Sequence, residues 1–356
     1  MSVIENSGKT DWISKAKGFA ILGVVAVHTI QRFTLGFRSL NHTATAGMYC
    51  VQLFFAISAF LTFKSLEKNE QTWTTKSYVR YLAHKLLRLI PILYTAVVWH
   101  IIMNYPIFGQ SIEKTPHLWK NTFYALTFLN GFSYHFINPW VNWYIGDLVI
   151  FIATSPLLFR WINSVKKSVW FFVVSMVFAW LSNLILIRLG VDVSWYFYFW
   201  FPHQLPALAI GMMFYHFQRG SSVASKNSGL TLAFVVSVCM LLSFFLFTTP
   251  MELHVQYGLF LFIFAYTLFN HSGRLFNWLK VLGNNSYGIY LYHWCLIPMF
   301  DYVMKKHDVS QTSIVNFASY YVLLVLISLL FAKIAAKLPP LVFFLYFSTN
   351  NEMKSD

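Results

Sequence analysis

The chain has 356 residues, of which 57% are hydrophobic and 11% are charged, and its formal net charge is +14. This composition excludes an ordinary soluble domain, because too few polar residues remain to cover a globular surface. The basic residues fall between apolar stretches, so we attribute the positive charge to membrane topology and to attraction toward anionic lipid. Membrane lipids are therefore expected partners, and nucleic acid is not.

Apolar stretches long enough to cross a hydrocarbon core of about 30 Å recur along the whole chain. They predict an all-α polytopic membrane protein with about ten transmembrane helices. The predicted spans are 14–34, 45–64, 86–104, 142–160, 168–189, 197–217, 229–248, 253–270, 284–304 and 313–335. We expect one transmembrane domain over residues 1–340 and a cytoplasmic tail over residues 341–356.

The distribution of basic residues predicts the orientation of these helices. Most of the 26 Lys and Arg residues fall on one side if the N-terminus is inside, so both termini are expected to be cytoplasmic. Cys50, Cys239 and Cys295 lie within or at the edges of spans and show no paired spacing. We therefore predict neither a disulfide nor a metal site.

The first predicted helix, KGFAILGVVAVHTI, carries Lys17 and His28 on one face, about 16 Å apart along the axis. Lys17 lies near the cytoplasmic end of this helix, where a lysine commonly extends its side chain to the inner membrane surface. His28 lies well inside the span, where a neutral imidazole can accept a proton near pH 7. It is either a hydrogen-bonded packing residue or a catalytic base.

A basic cluster precedes the third span in the stretch YVRYLAHKLLRLIP. Lys85 and Arg88 occupy neighbouring positions on one helical face, and Pro91 follows. The cluster can hold anionic headgroups or a phosphate-rich cytosolic ligand. Pro91 is expected to mark a kink at the mouth of the span.

The stretch NPWVNWYIGDLVIFIATSP places Trp143 and Asp147 four residues apart at the outer end of the fourth span. A tryptophan there is commonly an interface anchor, whereas an acid in a span is a candidate site residue. Further along, FPHQLPALAIG contains Pro206 and predicts an interrupted helix that lines a cavity.

The stretch SYGIYLYHW places Ser286, Tyr290 and His293 on one face of the ninth span. Such a polar stripe is expected to face protein or water, and it can equally serve hydrogen bonding between helices. Its histidine is predicted to lie at a depth comparable to that of His28.

The motifs, taken in order, resemble the acyltransferase 3 family of integral-membrane enzymes, which O-acylate surface polysaccharides, lipopolysaccharide O-antigens and related glycans. The motifs are Lys17 with His28, LFFAIS around Ser58, Lys85 with Arg88 and Pro91, the block from Trp143 to Pro156, LPALAIG ending at Gly211, and SYGIYLYHW. The chain departs from the family pattern by having lysine at positions 17 and 85, Ala59 after the serine, and Leu148 beside Asp147.

The resemblance implies an O-acyltransferase, expected to be an O-acetyltransferase of the bacterial inner membrane. It uses cytosolic acyl-CoA, expected to be acetyl-CoA, as donor substrate, has no bound cofactor, and acylates a glycan or a lipid-linked glycan. The expected catalytic residues are His28 and Asp147, and the expected CoA-binding residues are Lys17, Lys85 and Arg88. The residues expected to bind substrate or support the site are Ser58, Trp143, Ser286, Tyr290 and His293.

Two other classes of protein share part of this pattern. A transporter of a glycolipid or an acyl carrier would also have buried histidines and broken spans, but no inverted repeat is visible in the sequence. A purely structural membrane protein would leave His28, Asp147 and His293 without a role. Release of CoA from acetyl-CoA would separate the enzyme from both alternatives.

Overall fold

The computed structural model describes residues 11–68, 74–102, 118–131, 143–190, 199–220, 254–270 and 272–337. Within these ranges the chain forms helices joined by turns, and no strand occurs. The predicted all-α class is confirmed for this part of the chain. The predicted tail at 341–356 lies outside it.

The helices in the described ranges are, in chain order, α1 Asp11–Ile30, α2 Arg38–Thr45, α3 Cys50–Glu67, α4 Thr75–Leu87, α5 Ile90–Ile102, α6 Leu118–Thr127, α7 Trp143–Trp161, α8 Val165–Arg188, α9 Phe201–Gly220, α10 His254–Asn270, α11 Asn277–Asn284, α12 Ser286–Lys306 and α13 Ile314–Ala335. Short 3-10 turns follow α2, at Ala46–Tyr49, and α6, at Leu129–Gly131.

Five helical segments of the described chain are long and apolar enough to cross a membrane, and the bent pair of α4 and α5 would make a sixth. The five are α1, the segment Arg38–Glu67, α7, α8 and α13. Three more predicted spans coincide with α9, α10 and α12, which are shorter or more polar helices. The predicted span 229–248 lies outside the described residues, so the number ten and the cytoplasmic termini stay predictions.

The ends of the helices meet in the way that an up-and-down order requires. Lys280 forms an ion pair with Asp11, which joins two segments predicted to lie on the inner side. At the opposite end, the Thr34 amide donates a 3.0 Å hydrogen bond to the Gln311 carbonyl, which joins two loops predicted to lie outside. Segments that the basic-residue bias assigns to the same side are therefore in contact.

Helix α1 lies in the core and contacts α3, α10, α11, α12 and α13. Two glycines permit a close approach between α1 and α11: a Cβ atom on Gly18 would lie 2.1 Å from the Leu279 carbonyl oxygen, and one on Gly283 would lie 1.7 Å from that of Ser14. Small residues allow this approach of backbones inside a membrane bundle. Because α11 leads directly into α12, the contact fixes α12 beside α1.

The third predicted span is bent, although the bend does not begin at Pro91. Helix α4 ends at Leu87, Arg88 and Leu89 form the break, and α5 continues at an angle of 40°. Pro91 falls in the first turn of α5, where its missing N–H removes no intrahelical hydrogen bond. The break places Arg88 at the end of α4 and leaves its side chain exposed.

The expected interruption at Pro206 is wrong. Helix α9 runs from Phe201 to Gly220 with Pro206 inside it, so the proline removes the hydrogen bond that its N–H would make but does not end the helix. Further along α9, a Cβ atom on Gly211 would lie 2.0 Å from the Ala56 carbonyl oxygen and 2.9 Å from the Ala59 Cβ atom. The methyl group of Ala59 therefore packs where Gly211 has no side chain.

Candidate active site

The structure brings His28 and His293 together. His28 lies in the last turn of α1, and His293 lies in the first half of α12. Their ring centroids are 5.3 Å apart and the ring planes are inclined by 32°. The indole ring of Trp294 packs edge-on against His28 at 5.1 Å. The two histidines predicted to share a depth are thus neighbours, and we call them the histidine pair.

The imidazole of His293 is fully buried, and one of its two nitrogens is committed to the backbone. Nδ1 donates a hydrogen bond of 3.0 Å to the carbonyl oxygen of Ile289, which assigns the proton of the neutral ring to Nδ1. Nε2 is out of contact with solvent and has no hydrogen-bond partner among the described residues. It is therefore an unoccupied acceptor beside His28, and an unsatisfied buried atom of this kind calls for an explanation.

His28 is partly buried, and it is hydrogen-bonded to Gln31, which directly follows α1. Its Nδ1 lies 3.3 Å from Oε1 of Gln31, so the amide oxygen accepts the Nδ1 proton. This assignment leaves Nε2 of His28 as the nitrogen that can take up a proton. Gln31 escaped the sequence analysis, although its position three residues after His28 places it one helical turn away.

A polar and aromatic chain of contacts leads from the histidine pair toward α7 and α3. The ring of Tyr290 lies 6.0 Å from that of His293 and 5.5 Å from that of Tyr144. The hydroxyl groups of Tyr144 and Ser58 are hydrogen-bonded at 3.1 Å. Three predicted residues, Ser58, Tyr290 and His293, are therefore joined through Tyr144, which the sequence analysis passed over.

Trp143 is buried in the same region and is not an exposed interface anchor. Its ring packs 5.1 Å from Phe199, just before α9, and 6.0 Å from Phe55 of α3. It is edge-on to Tyr144 at 6.5 Å. The packing holds the start of α7 against α3, which keeps the Tyr144 hydroxyl in reach of Ser58.

Asp147 is fully buried, but the structure does not bring it to the histidine pair. Neither carboxylate oxygen has a hydrogen-bond partner in the described part of the chain. Asn130, on the 3-10 turn that packs against α7, is also buried, and its amide oxygen and nitrogen are unpaired within the described residues. The backbones of Gly131 and Gly146 are in close contact there. Asp147 and Asn130 are thus two buried polar side chains without a partner among the described residues, on elements whose backbones are in contact.

The predicted CoA-binding residues lie toward the other end of the bundle. Lys85 is half-buried, with Nζ 3.5 Å from the Ser65 hydroxyl and 5.5 Å above the ring of Tyr81. Arg88 is exposed at the adjoining break. The hydroxyl of Tyr287 donates a 2.8 Å hydrogen bond to the Leu89 carbonyl, which ties this break to the first turn of α12.

Ser286 is buried at the start of α12, beside that hydrogen bond. From Ser286 to His293 is seven residues, or about 10 Å along the helix axis. We call Lys85, Arg88 and the turn between α4 and α5 the basic break. It is bonded to the first turn of α12, and His293 lies about two helical turns further along the same helix. The predicted stripe on α12 connects them.

Lys17 is half-buried, and the more deeply buried lysine of α1 is Lys15. Nζ of Lys15 donates hydrogen bonds to the Ser272 hydroxyl at 2.9 Å and to the Gly273 carbonyl oxygen at 2.6 Å. Lys15 therefore anchors the turn before α11, and Lys17 is the lysine left for another ligand. The sequence contained no signal that distinguished the two.

No group of three His, Cys, Asp or Glu side chains is arranged for a metal ion within the described ranges. The thiols of Cys50 and Cys295 are buried and free. The groups in and next to the histidine pair include imidazole nitrogens and the hydroxyls of Tyr290, Tyr144 and Ser58. They suit proton transfer to and from a bound hydroxyl compound.

Comparison with known proteins gives one match. The sequence model of the acyltransferase 3 family, described as an acyltransferase domain, matches residues 10–333. No curated protein and no solved structure matches the chain. The matched range contains the histidine pair, the basic break and Asp147.

Proposed function

The chain belongs to the acyltransferase 3 family, and from this premise we propose that it is a membrane O-acyltransferase with His28 as its general base. The donor is cytosolic acyl-CoA, expected to be acetyl-CoA. The acceptor is a hydroxyl group of a cell-surface or exported glycan, and the protein resides in a bacterial inner membrane. One observation supports the proposal most directly: the rings of His28 and His293 are neighbours, and each has an Nε2 that can accept a hydrogen bond. The pair lies about 10 Å along α12 from the basic break.

The reaction follows from the assigned protons. Nε2 of His28 takes the proton of the acceptor hydroxyl while the hydroxyl oxygen attacks the thioester carbonyl carbon. The new C–O bond forms as the C–S bond breaks, and the CoA sulfur leaves with its electron pair and takes the proton back from the imidazolium. A variant route, in which His28 first carries the acyl group, uses the same nitrogen.

We assign the proton to His28 and a supporting role to His293, because His293 is fully buried, where a charged imidazolium is costly, whereas His28 is only partly buried. The Nδ1–H of His293 is bonded to the backbone, so its Nε2 meets the substrate as a hydrogen-bond acceptor. An acceptor can orient the hydroxyl group of the substrate or stabilise the N–H of the His28 imidazolium. It cannot hold the thioester carbonyl oxygen, which needs a donor.

The donor side is the basic break. CoA carries several phosphate charges, and Arg88 and Lys85 offer a planar fork and a point charge for them. Lys17 is a third cation on the same predicted side. The thioester end must then extend along α12 from Ser286 to the histidine pair, a distance of about 10 Å.

We propose that Asp147 is the second catalytic residue and that its carboxyl group contacts the bound substrate, because no described side chain pairs with it. A buried carboxyl without a partner is costly inside a bundle, and such groups commonly mark a substrate path. We assign the same substrate contact to Asn130, whose buried amide is also unpaired within the described residues.

The proposal is tested by incubating the purified protein with acetyl-CoA labelled in the acetyl group. We expect slow release of CoA and incorporation of label into a glycan-containing membrane extract from the source cells. A transporter would show neither. Transfer that persists in His28→Ala at matched folded concentration would show an acyltransferase with another base.

A further inference from the structure

A polar cavity of about 630 Å³ opens where α1 and α12 end, and Gln31 lines it. We call it the Gln31 cavity. Gln31 is also the residue that accepts the hydrogen bond from Nδ1 of His28. The cavity therefore begins one side chain away from the candidate base, on the side of the bundle opposite the basic break. Its volume lies within the range of small-molecule sites.

The charges that line the Gln31 cavity are balanced. Arg32 and Lys305 are cationic, and Asp301 and Asp308 are anionic. A site for the phosphates of CoA would need an excess of cations, as at the basic break. A neutral ligand that both donates and accepts hydrogen bonds fits this lining better, and a hydroxyl-rich sugar has that chemistry.

The central ion pair of the cavity retains bonding capacity. Nε of Arg32 lies 3.5 Å from Oδ2 of Asp301, which is longer than a charge-assisted hydrogen bond. That nitrogen is out of contact with solvent and makes no hydrogen bond to a described residue. The Tyr320 hydroxyl meanwhile donates to Oδ1 of Asp301 at 3.2 Å, which holds the carboxylate in place. The side chains of Arg32 and Asp301 are only partly buried and both line the cavity, so a sugar hydroxyl can bond to the accessible guanidinium N–H groups and the carboxylate.

An apolar groove of about 300 Å³ adjoins the Gln31 cavity between α12 and α13. Val303, Leu323 and Phe300 line it, and it shares Met304 and Val309 with the polar cavity. We call it the Leu323 groove. A ligand with a sugar and an attached apolar chain would fill both spaces.

We propose that the Gln31 cavity is the acceptor subsite and that it takes the sugar of an amphipathic glycoside, whose apolar chain lies in the Leu323 groove. This proposal rests on the proposed function and specifies its acceptor. The sugar hydroxyl to be acylated would lie toward His28, whose Nδ1 bonds to Gln31 at the edge of the cavity.

The test uses octyl glucoside and octyl galactoside that carry a photoreactive diazirine in the alkyl chain. The wild-type protein in nanodiscs is irradiated with each probe in the absence of acyl-CoA, and labelled peptides are mapped. We expect labelling of α12 and α13 that unlabelled octyl glycoside suppresses and octyl phosphocholine does not. Equal suppression by both would show binding of any amphiphile, and no labelling by either probe would also overturn the proposal.

Variants give a second readout. Arg32→Gln and Asp301→Asn should each lower labelling about fivefold or more, as expected for losing a hydrogen bond to the sugar. Arg38→Gln, which changes an exposed cation outside the cavity, should not. Unchanged labelling in both cavity variants would refute the assignment. Labelling requires neither acyl-CoA nor transfer, so failure of the subsite and failure of the base are distinguishable.

Discussion

Substitutions at His293 test how the two imidazoles divide their roles. Glutamine places an amide near the position of Nε2, whereas asparagine reaches only the position of Nδ1. The structure gives Nδ1 a backbone partner and leaves Nε2 as the free acceptor. We therefore expect His293→Gln to preserve the supporting contact and His293→Asn to lose it.

The magnitude follows from the single hydrogen bond at stake. A neutral hydrogen bond contributes about 0.5–1.5 kcal/mol, which corresponds to a change in rate of about 2- to 12-fold. We expect His293→Gln to stay within about tenfold of wild type and His293→Asn to be lower by up to about another tenfold. His28→Gln should fall by about 10²-fold or more, because an amide cannot accept a proton near neutral pH.

The assay measures CoA release and label transfer at saturating acetyl-CoA, with each variant purified to the same monodispersity. His216→Gln is a matched control, because His216 is another buried histidine whose Nε2 bonds to a backbone carbonyl, that of Ile162, at 2.7 Å. It should retain near wild-type transfer. If His293→Gln is as inactive as His28→Gln, the division of roles is wrong. Equal activity of His293→Gln and His293→Asn would refute the assignment of Nε2 as the working acceptor.

Three further predictions concern the donor site, the helix contact and the buried acid. Replacing Lys85 and Arg88 with glutamine should weaken CoA binding by about 2–3 kcal/mol, through the loss of charge-assisted bonds. Calorimetry with CoA and dephospho-CoA measures this, and unchanged affinity for both would return the cluster to lipid binding. Gly283→Ala should lower thermal stability in detergent, because its Cβ atom would meet a backbone oxygen at 1.7 Å, whereas Gly36→Ala, with nothing within 4 Å, should not. Equal melting temperatures would contradict that packing. Asp147→Asn should unfold no more readily than wild type yet lose about tenfold or more in transfer, and full activity would remove the acid from the site.

The sequence was informative where a polar residue had to be explained inside an apolar helix. His28 and His293 were predicted at one depth by counting residues along two helices, and the structure places their rings side by side. Helix periodicity carries that information, because each residue advances the chain by a fixed rise. The spacing of Lys85 and Arg88 ahead of an apolar run predicts a basic cluster in the same way, and their role in binding CoA stays a prediction.

The sequence was uninformative where the answer depended on packing between distant segments. Nothing local distinguished the buried Lys15 from Lys17, since burial of Lys15 depends on Ser272 and Gly273. Nothing in the sequence distinguishes Tyr144 from the other aromatic residues, because its hydrogen bond to Ser58 depends on the packing of α7 against α3. The expectation at Pro206 failed because helix α9 continues through the proline, packed against α3 and α8, and this packing between distant segments is not visible in the local sequence.

The central claim is that His28 is the base of an acyl transfer. The most direct measurement compares wild type and His28→Ala for transfer of labelled acetyl groups from acetyl-CoA, at equal membrane expression and equal CoA affinity. If His28 is the base, His28→Ala binds CoA like wild type and loses about 10²-fold or more of the transfer rate. Transfer within a few-fold of wild type would contradict it.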